Sequence, residues 1–170
     1  MNLFKQLFVS LNKKRVKYLV AGGVAVNLYG VERATADIDL VVKLSRDNVG
    51  RFIEAAKELE LIPRVPVKLE DFADVKNRNT WIKEKNMMVF TLLDKKTPFF
   101  SLDIFVEVPF DFEDVYARRV NMKFEGVKVS VVPVRDLINM KKDTGRPQDK
   151  ADVYYLSRIA KEWESWKNEK

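Results

Sequence analysis

The chain has 170 residues, of which 46% are hydrophobic and 33% charged, and its formal net charge is +6. It contains no cysteine and no histidine, which excludes disulfides, Cys/His zinc sites, thiol nucleophiles and histidine acid–base catalysis. Any chemistry must therefore use carboxylates, lysine, hydroxyl groups or a metal held by oxygen ligands.

Size and composition predict a single globular domain over residues 1–170. The sequence has no apolar run near the length of a bilayer span and no signal-peptide pattern, so we expect a cytoplasmic protein without a membrane partner. Part of the positive charge is local, in Lys13, Lys14, Arg15 and Lys17. It favours polyanionic partners such as nucleotides or RNA, although a solvated surface of mixed charge explains it equally well.

Hydrophobic periodicity predicts alternating helices and strands in the first half of the chain. In order these are a helix at 1–11, a buried strand at 16–21, a short helix at 24–29 and a second strand at 37–42. Gly30 is expected to close the short helix. Ser45 is expected to cap a long amphipathic helix, and residues 69–85 are predicted to be helical.

The second half is predicted to contain two hairpins followed by two helices. The hairpin strands are residues 87–93 with 100–107 and residues 121–124 with 127–132, and the helices are 134–143 and 147–166. Hairpins combined with at least one crossover predict an α/β (α+β) domain with a mixed β-sheet flanked by helices. We expect the C-terminal helices to pack on it.

Two aspartates interrupt the apolar pattern of the second strand. Side chains two positions apart share one face of a strand, so Asp37 and Asp39 lie together opposite the apolar residues that face the core. Neighbouring carboxylates repel each other unless one takes up a proton or a cation lies between them. Oxygen ligands of this kind select Mg²⁺, Mn²⁺ or Ca²⁺.

A third carboxylate has the same setting, Asp103 in "FFSLDIFVEV". If its strand neighbours the strand at 37–42, three carboxylates converge and can share metal ions. Asp103 is also the best candidate to accept a proton from an attacking hydroxyl. Taken singly, an Asp-x-Asp pair or a lone strand aspartate usually marks a turn or a solvated face. Together, these residues favour a metal site.

A glycine pair, Gly22-Gly23, lies where the first strand gives way to a helix. Backbone N–H groups at such a junction bind anions, and glycine lets a phosphate approach the backbone closely. The pair lacks the G-x-G-x-x-G fingerprint and the Gly-Lys-Ser/Thr of a Walker loop. A tight turn with close packing is the ordinary explanation of a glycine pair taken alone.

The stretch "LVAGGVAVNLYGVERATADIDLVV" resembles the signature of the DNA polymerase β-like nucleotidyltransferase superfamily, in which two small residues precede Asp-x-Asp. "LDI" at Asp103 matches the third carboxylate. "RATADIDL", with Arg33 and Thr35, looks like the version found in minimal nucleotidyltransferases and AbiEii-type toxins. "LINMKKDTGRPQDKADVYYL" is similar to the Lys…Gly-Arg-Pro-x-Asp-x-x-Asp segment of those proteins.

The resemblance implies a metal-dependent nucleotidyltransferase. Gly22 and Gly23 would hold the phosphates of an NTP, and Asp37, Asp39 and Asp103 would bind Mg²⁺ or Mn²⁺. An NMP would pass to a hydroxyl of an unknown acceptor (a protein, a tRNA end or a small molecule), with release of pyrophosphate. The alternative is a non-catalytic nucleotide-binding component of toxin–antitoxin type. A third hypothesis, a basic RNA-binding domain, is supported by net charge alone.

The C-terminal motif adds further candidates. Lys141 occupies the family's lysine position and is expected to meet the triphosphate, although lysines on apolar faces commonly snorkel into solvent. Arg33, Thr35, Arg146 and Asp149 are candidates for nucleotide binding, and the helix dipole alone also accounts for Asp149.

Two further expectations concern the last helix. Asp152 is expected to pair with Arg146 or Lys150. The aromatic side chains are expected to pack in the core, and these are Tyr154, Tyr155, Trp163 and Trp166.

Overall fold

Short apolar segments build a seven-stranded sheet in the computed structural model, which describes residues 1–169. The strands are β1 (Tyr18–Ala21), β2 (Asp37–Val42), β3 (Ile62–Pro63), β4 (Val89–Leu93), β5 (Ser101–Phe105), β6 (Val120–Phe124) and β7 (Val127–Val131). Their order across the sheet is β3-β4-β5-β2-β1-β7-β6.

Helices cover this sheet. They are α1 (Leu3–Lys13), α2 (Gly22–Leu28), α3 (Arg46–Glu58), α4 (Val75–Lys85), α5 (Phe112–Ala117), α6 (Val134–Lys141) and α7 (Pro147–Asn168), with a 3₁₀ turn at Leu69–Ala73. Within residues 1–169, none of these helices combines the length and the apolar character needed to cross a bilayer.

The strand pairing is mixed, as the sequence predicted. β1 and β2 run antiparallel, whereas β2 pairs in parallel with β5 and β1 in parallel with β7. β4 with β5 and β6 with β7 form the two predicted antiparallel hairpins. All four residues of β1, which lies between β2 and β7 inside the sheet, are buried. The predicted α/β (α+β) class is therefore confirmed.

Apolar helix faces fill the space on the sheet. Leu7, Phe8 and Leu11 of α1 are completely buried, at the spacing that made this helix predictable. Around β4, the ring of Phe90 stacks on Phe72 and on Trp81, with ring centroids 5.1 and 5.2 Å apart. These contacts anchor the edge of the sheet that carries β4 and β5.

Several elements differ from the prediction. Residues 69–85 form two pieces, because Asp74 breaks the run and its side chain accepts a hydrogen bond from the Lys76 N–H at 2.8 Å to start α4. The edge strand β3 and the short α5 were not predicted, since each has too few residues to show a period. Ser45 lies at the N-cap of α3, but its side chain makes no capping hydrogen bond.

Asn48 at the start of α3 joins this helix to the two central strands, and its side chain is buried. Its Oδ1 accepts from the Lys17 N–H at 2.8 Å, and its Nδ2 donates to the carbonyls of Lys17 and Lys43, both at 2.9 Å. These backbone groups flank the beginning of β1 and the end of β2, so one amide satisfies three groups that have little access to water.

Asn48→Ala is expected to lower the free energy of unfolding by about 2–3 kcal/mol, because the part-buried Lys17 N–H and Lys43 carbonyl lose a hydrogen-bond partner. Urea unfolding followed by circular dichroism measures this. Asn121→Ala, on the exposed face of β6, is the matched control and should change stability by less than about 0.5 kcal/mol. Equal small losses in both variants would contradict the structural role of Asn48.

Candidate active site

The register between β2 and β5 brings the carboxylates together. Asp39 is paired with Asp103, and Asp37 is paired with Ser101 on the same two strands. On the other side of β5, Thr91 of β4 is paired with Asp103, and its hydroxyl donates to Asp103 Oδ1 at 2.6 Å. Thr91 therefore fixes one oxygen of the third carboxylate and leaves the other available.

The glycine pair packs directly against two side chains of the site. Gly22 has φ +58, and a Cβ placed on it would lie 1.9 Å from Oδ2 of Asp39. A Cβ on Gly23 would lie 2.6 Å from Oγ1 of Thr35. Both glycines begin α2, whose N-terminal end has no side-chain cap. Glycine is thus required here to let Asp39 and Thr35 approach the backbone.

All ten residues that the sequence singled out line one cavity of about 370 Å³. They are Gly22, Gly23, Arg33, Thr35, Asp37, Asp39, Asp103, Lys141, Arg146 and Asp149. The cavity also has apolar lining that sequence reasoning missed, from Phe105, Leu137 and Met140. Phe105 could have been found, because it follows Asp103 by two positions and shares its strand face.

The carboxylates at the sheet are short of positive charge. Burial, together with repulsion from Asp103 and Asp37, raises the pKa of Asp39 to about 6, despite attraction by Lys141 and Arg146. Burial also raises the pKa of Asp103, and the hydrogen bond from Thr91 offsets part of this effect. A site with these pKa shifts gains free energy when it binds a cation.

The donor chemistry of these carboxylates fits Mg²⁺ or Mn²⁺. Among residues 1–169, however, no three acidic side chains already surround a common point as metal ligands. Protein-bound Mg²⁺ commonly takes one or two carboxylates and completes its shell with waters and substrate phosphates. The arrangement therefore suits a metal that binds together with a triphosphate, and it does not form a ready-made metal cage.

The C-terminal motif forms a buried ionic cluster at the opposite wall. Lys141 is only 8% exposed, and its Nζ lies 3.1 Å from Oδ1 of Asp149 and 2.9 Å from Oδ2 of Asp152. Asp152 also accepts a hydrogen bond from Arg33 at 2.5 Å. The prediction that Asp152 pairs with Arg146 or Lys150 is therefore wrong. Its buried carboxylate instead joins α7 to the segment that precedes β2.

Asp149 is the second acid of this cluster. Burial alone would raise its pKa, but hydrogen bonds from Thr144, Lys141 and Arg146 hold the pKa of this carboxyl below its ordinary value. Arg146 donates through Nε at 2.7 Å while most of its side chain remains exposed. Lys141 thus does not snorkel outward, and Arg146 is the more accessible cation of the motif.

The aromatic side chains of α7 lie mainly on its surface, which corrects the prediction that they pack in the core. The exposed residues are Tyr154, Tyr155, Trp163 and Trp166. Trp163 touches the core only at its margin, where its ring lies 5.3 Å from that of Tyr29.

The whole of this site falls within a match to a known family. Residues 1–162 match the model of the family described as "Nucleotidyltransferase of unknown function (DUF6036)". The chain belongs to this nucleotidyltransferase family. The resemblance to the DNA polymerase β-like superfamily and the prediction of a transferase enzyme are thereby confirmed. A comparison with the sequences of curated proteins finds no match.

Solved structures share the fold of this nucleotidyltransferase at low sequence identity. The antibiotic-resistance factor ANT(2″)-Ia has a TM-score of 0.60 at 13% identity, over 93% of this chain and 82% of that one. The lincosamide antibiotic adenylyltransferase LnuA, bound to lincomycin, has a TM-score of 0.57 at 16% identity, over 91% of this chain and 96% of that one. A proposed nucleotidyltransferase from Thermotoga maritima, TM1012, has a TM-score of 0.51 at 14% identity, over 99% of this chain and 92% of that one.

The pKa of Asp39 makes the stability of the metal-free nucleotidyltransferase depend on pH. The folded chain holds this proton up to about pH 6, whereas an unperturbed aspartate loses it near 3.8. Stability therefore falls as the pH rises through this window. Asp39→Asn removes the buried charge, so it is expected to stabilise the chain by about 2 kcal/mol at pH 8 and by almost nothing near pH 4.

Urea unfolding in EDTA between pH 4 and 8 measures this difference. Glu32→Gln, an exposed change beside the site, is the control and should give no trend with pH. A constant difference between Asp39→Asn and wild type across the range would contradict the raised pKa.

Proposed function

We propose that the chain is a metal-dependent nucleotidyltransferase that moves an NMP from an NTP to a hydroxyl group of an acceptor. The observation that carries the proposal is the pairing of Asp39 with Asp103 in one cavity with Asp37 and the glycine pair. Family membership supports transferase chemistry. The metal, the acceptor and the residue roles are our inference from the geometry.

The cavity offers groups that can bind the triphosphate of an NTP from two sides. Gly22 and Gly23 line the cavity at the uncapped start of α2, where backbone N–H groups can meet a phosphate, and Arg146 supplies an accessible cation across the cavity. Lys141 is held by two aspartates, so its charge is fixed in position and already compensated. We assign Lys141 to orienting the wall of the cavity and Arg146 to contacting phosphate oxygens.

Asp103 is placed to accept the proton of the acceptor hydroxyl. Thr91 occupies its Oδ1, which leaves Oδ2 for the incoming O–H, and its raised pKa favours proton acceptance. The acceptor oxygen forms a bond to the α-phosphorus. The bond from that phosphorus to the bridging oxygen breaks, and pyrophosphate leaves with the electron pair. A divalent metal, when bound by Asp37 and Asp39, neutralises charge on the phosphates.

The alternative is a non-catalytic nucleotide-binding protein of toxin–antitoxin type. This alternative predicts that the chain binds nucleotide phosphates and that the carboxylates take no part in a reaction. The shared register of Asp39 and Asp103, with Thr91 bound to the latter, favours the catalytic reading. A binding module gains nothing from carboxylates that repel both each other and a triphosphate.

Asp37→Ala and Asp39→Ala are each expected to reduce nucleotide transfer at least about 100-fold, because charge on the phosphates is no longer neutralised. The assay follows label from α-³²P NTPs with Mg²⁺, offered to total tRNA, to the protein itself and to small alcohols. Asp47→Ala, exposed at the start of α3, should transfer at the wild-type rate. Equal labelling by wild type and both site variants would refute the proposal.

Nucleotide binding should depend on divalent metal. ATP with MgCl₂ is expected to raise the melting temperature of the wild type by several degrees, and ATP with EDTA should have much less effect. Asp39→Asn should lose the metal-dependent part, and Glu32→Gln should retain it. Stabilisation by ATP that is identical in EDTA and MgCl₂ would favour the non-catalytic alternative.

A further inference from the structure

A second cavity of about 240 Å³ adjoins the active site where the chain enters β2. Thr35, Ala36 and Asp37 line both cavities. Apart from Asn27, the rest of the second cavity is apolar, with walls from Phe4, Val24, Leu28, Ile38 and Phe124. We propose that it holds an apolar ring of the acceptor, whose attached hydroxyl reaches past Asp37 to Asp103. This inference rests on the proposed function and specifies its acceptor.

The walls of this apolar cavity are held in place by polar contacts outside it. Asn2 caps α1 by accepting from the Lys5 N–H at 2.8 Å, and its Nδ2 donates to the Glu125 carboxylate at 2.7 and 2.8 Å. These bonds tie the first turn of α1 to the turn between β6 and β7. The ring of Phe4 is supported from behind by Phe100, at a centroid distance of 5.2 Å.

The side chains around the opening stay partly accessible. Phe4, Leu28 and Phe124 are packed against the core but are only partly buried. An apolar ligand ring would bury the remaining accessible surface of these three residues, which is favourable in proportion to the apolar area removed from water. The cavity is thus an apolar recess on a fixed frame that borders the catalytic cavity at Thr35, Ala36 and Asp37.

The chemistry of the walls selects the ligand. A nucleobase carries several hydrogen-bonding groups, and burying them without partners costs free energy. Beyond Asn27, whose Oδ1 already accepts from the Arg33 N–H at 3.2 Å, these walls offer few partners. A cavity of this size is smaller than those that enclose drug-sized ligands, which start near 300 Å³. It accommodates one or two fused rings and excludes a tRNA end with its backbone. The ligand class is therefore a small alcohol with an apolar ring, neutral or cationic beside Asp37.

Benzyl alcohol and 2-(indol-3-yl)ethanol are suitable probes. Titration of the full ¹⁵N-labelled chain in metal-free buffer should shift the amide signals of Phe4, Leu28 and Phe124, with a Kd of about 1 mM as expected for so few atoms. Leu28→Trp fills the cavity and should weaken both probes at least tenfold. Leu59→Trp, a partly buried leucine at the end of α3, should bind them normally.

Phe124→Ala provides a second variant that does not depend on filling the space. It enlarges the cavity and should favour the indole alcohol over benzyl alcohol relative to wild type. Absence of shifts at these residues with either probe at about 10 mM, or unchanged binding by Leu28→Trp, would overturn the proposal.

Nucleotide titrations distinguish an acceptor site from a base site. With the acceptor in this cavity, ATP and the alcohol bind together, and Leu28→Trp keeps its affinity for both ATP and inorganic tripolyphosphate. If ATP displaces the alcohol, and Leu28→Trp weakens ATP but not tripolyphosphate, the cavity belongs to the base and the inference is wrong.

Transfer assays separate failure of this inference from failure of the proposed function. Labelling of tRNA that Leu28→Trp leaves unchanged would overturn the ring-bearing acceptor while retaining the nucleotidyltransferase. Probe binding at the cavity without transfer from any NTP would overturn the proposed function, and with it the acceptor role. Transfer to a ring-bearing alcohol by wild type and Leu59→Trp, reduced at least tenfold in Leu28→Trp, is the supporting result.

Discussion

Parallel pairing of β2 with β5 is the constraint on which the active site depends. The sheet hydrogen bonds fix Asp39 beside Asp103, where burial and repulsion raise the pKa of both carboxyls. The two acids cannot separate without loss of strand pairing. Their repulsion is therefore built into the fold, and it can be relieved only by a proton or by a cation from outside.

The buried cluster on α6 and α7 complements this arrangement from across the cavity. Buried ion pairs contribute little net stability, because desolvation offsets their attraction. Their position is more informative: Asp152 binds both Lys141 and Arg33, so the C-terminal helices are linked to the segment that leads into β2. That segment carries Thr35 and Asp37, which line both cavities. The cluster thus determines where the shared wall lies.

Local patterns made much of this site predictable. The alternation in β2 and β5 placed each aspartate on a polar face, and the glycine pair marked a close backbone approach. The pairing of β2 with β5 is a property of the whole sheet and could not be foreseen, and the predicted hairpin did not fix the register that places Thr91 beside Asp103. Arg33 and Asp152 are far apart in sequence, and only the packing of α7 joins them. The prediction that the aromatic side chains of α7 pack in the core was wrong, because composition does not reveal which face of a helix packs against the rest of the chain.

The charge of the cavity supports the proposed role of a metal despite a basic chain. Three cationic side chains and four acidic ones line it, and all three cations are already paired with buried aspartates. The excess of lysine near the end of α1 lies elsewhere, where Lys14 pairs with Glu58. A triphosphate entering this cavity meets carboxylates before it meets free cations. A divalent ion held by Asp37 and Asp39 would neutralise charge on the phosphates and resolve this conflict, and it would leave the apolar cavity beside Asp37 for a ligand without negative charge.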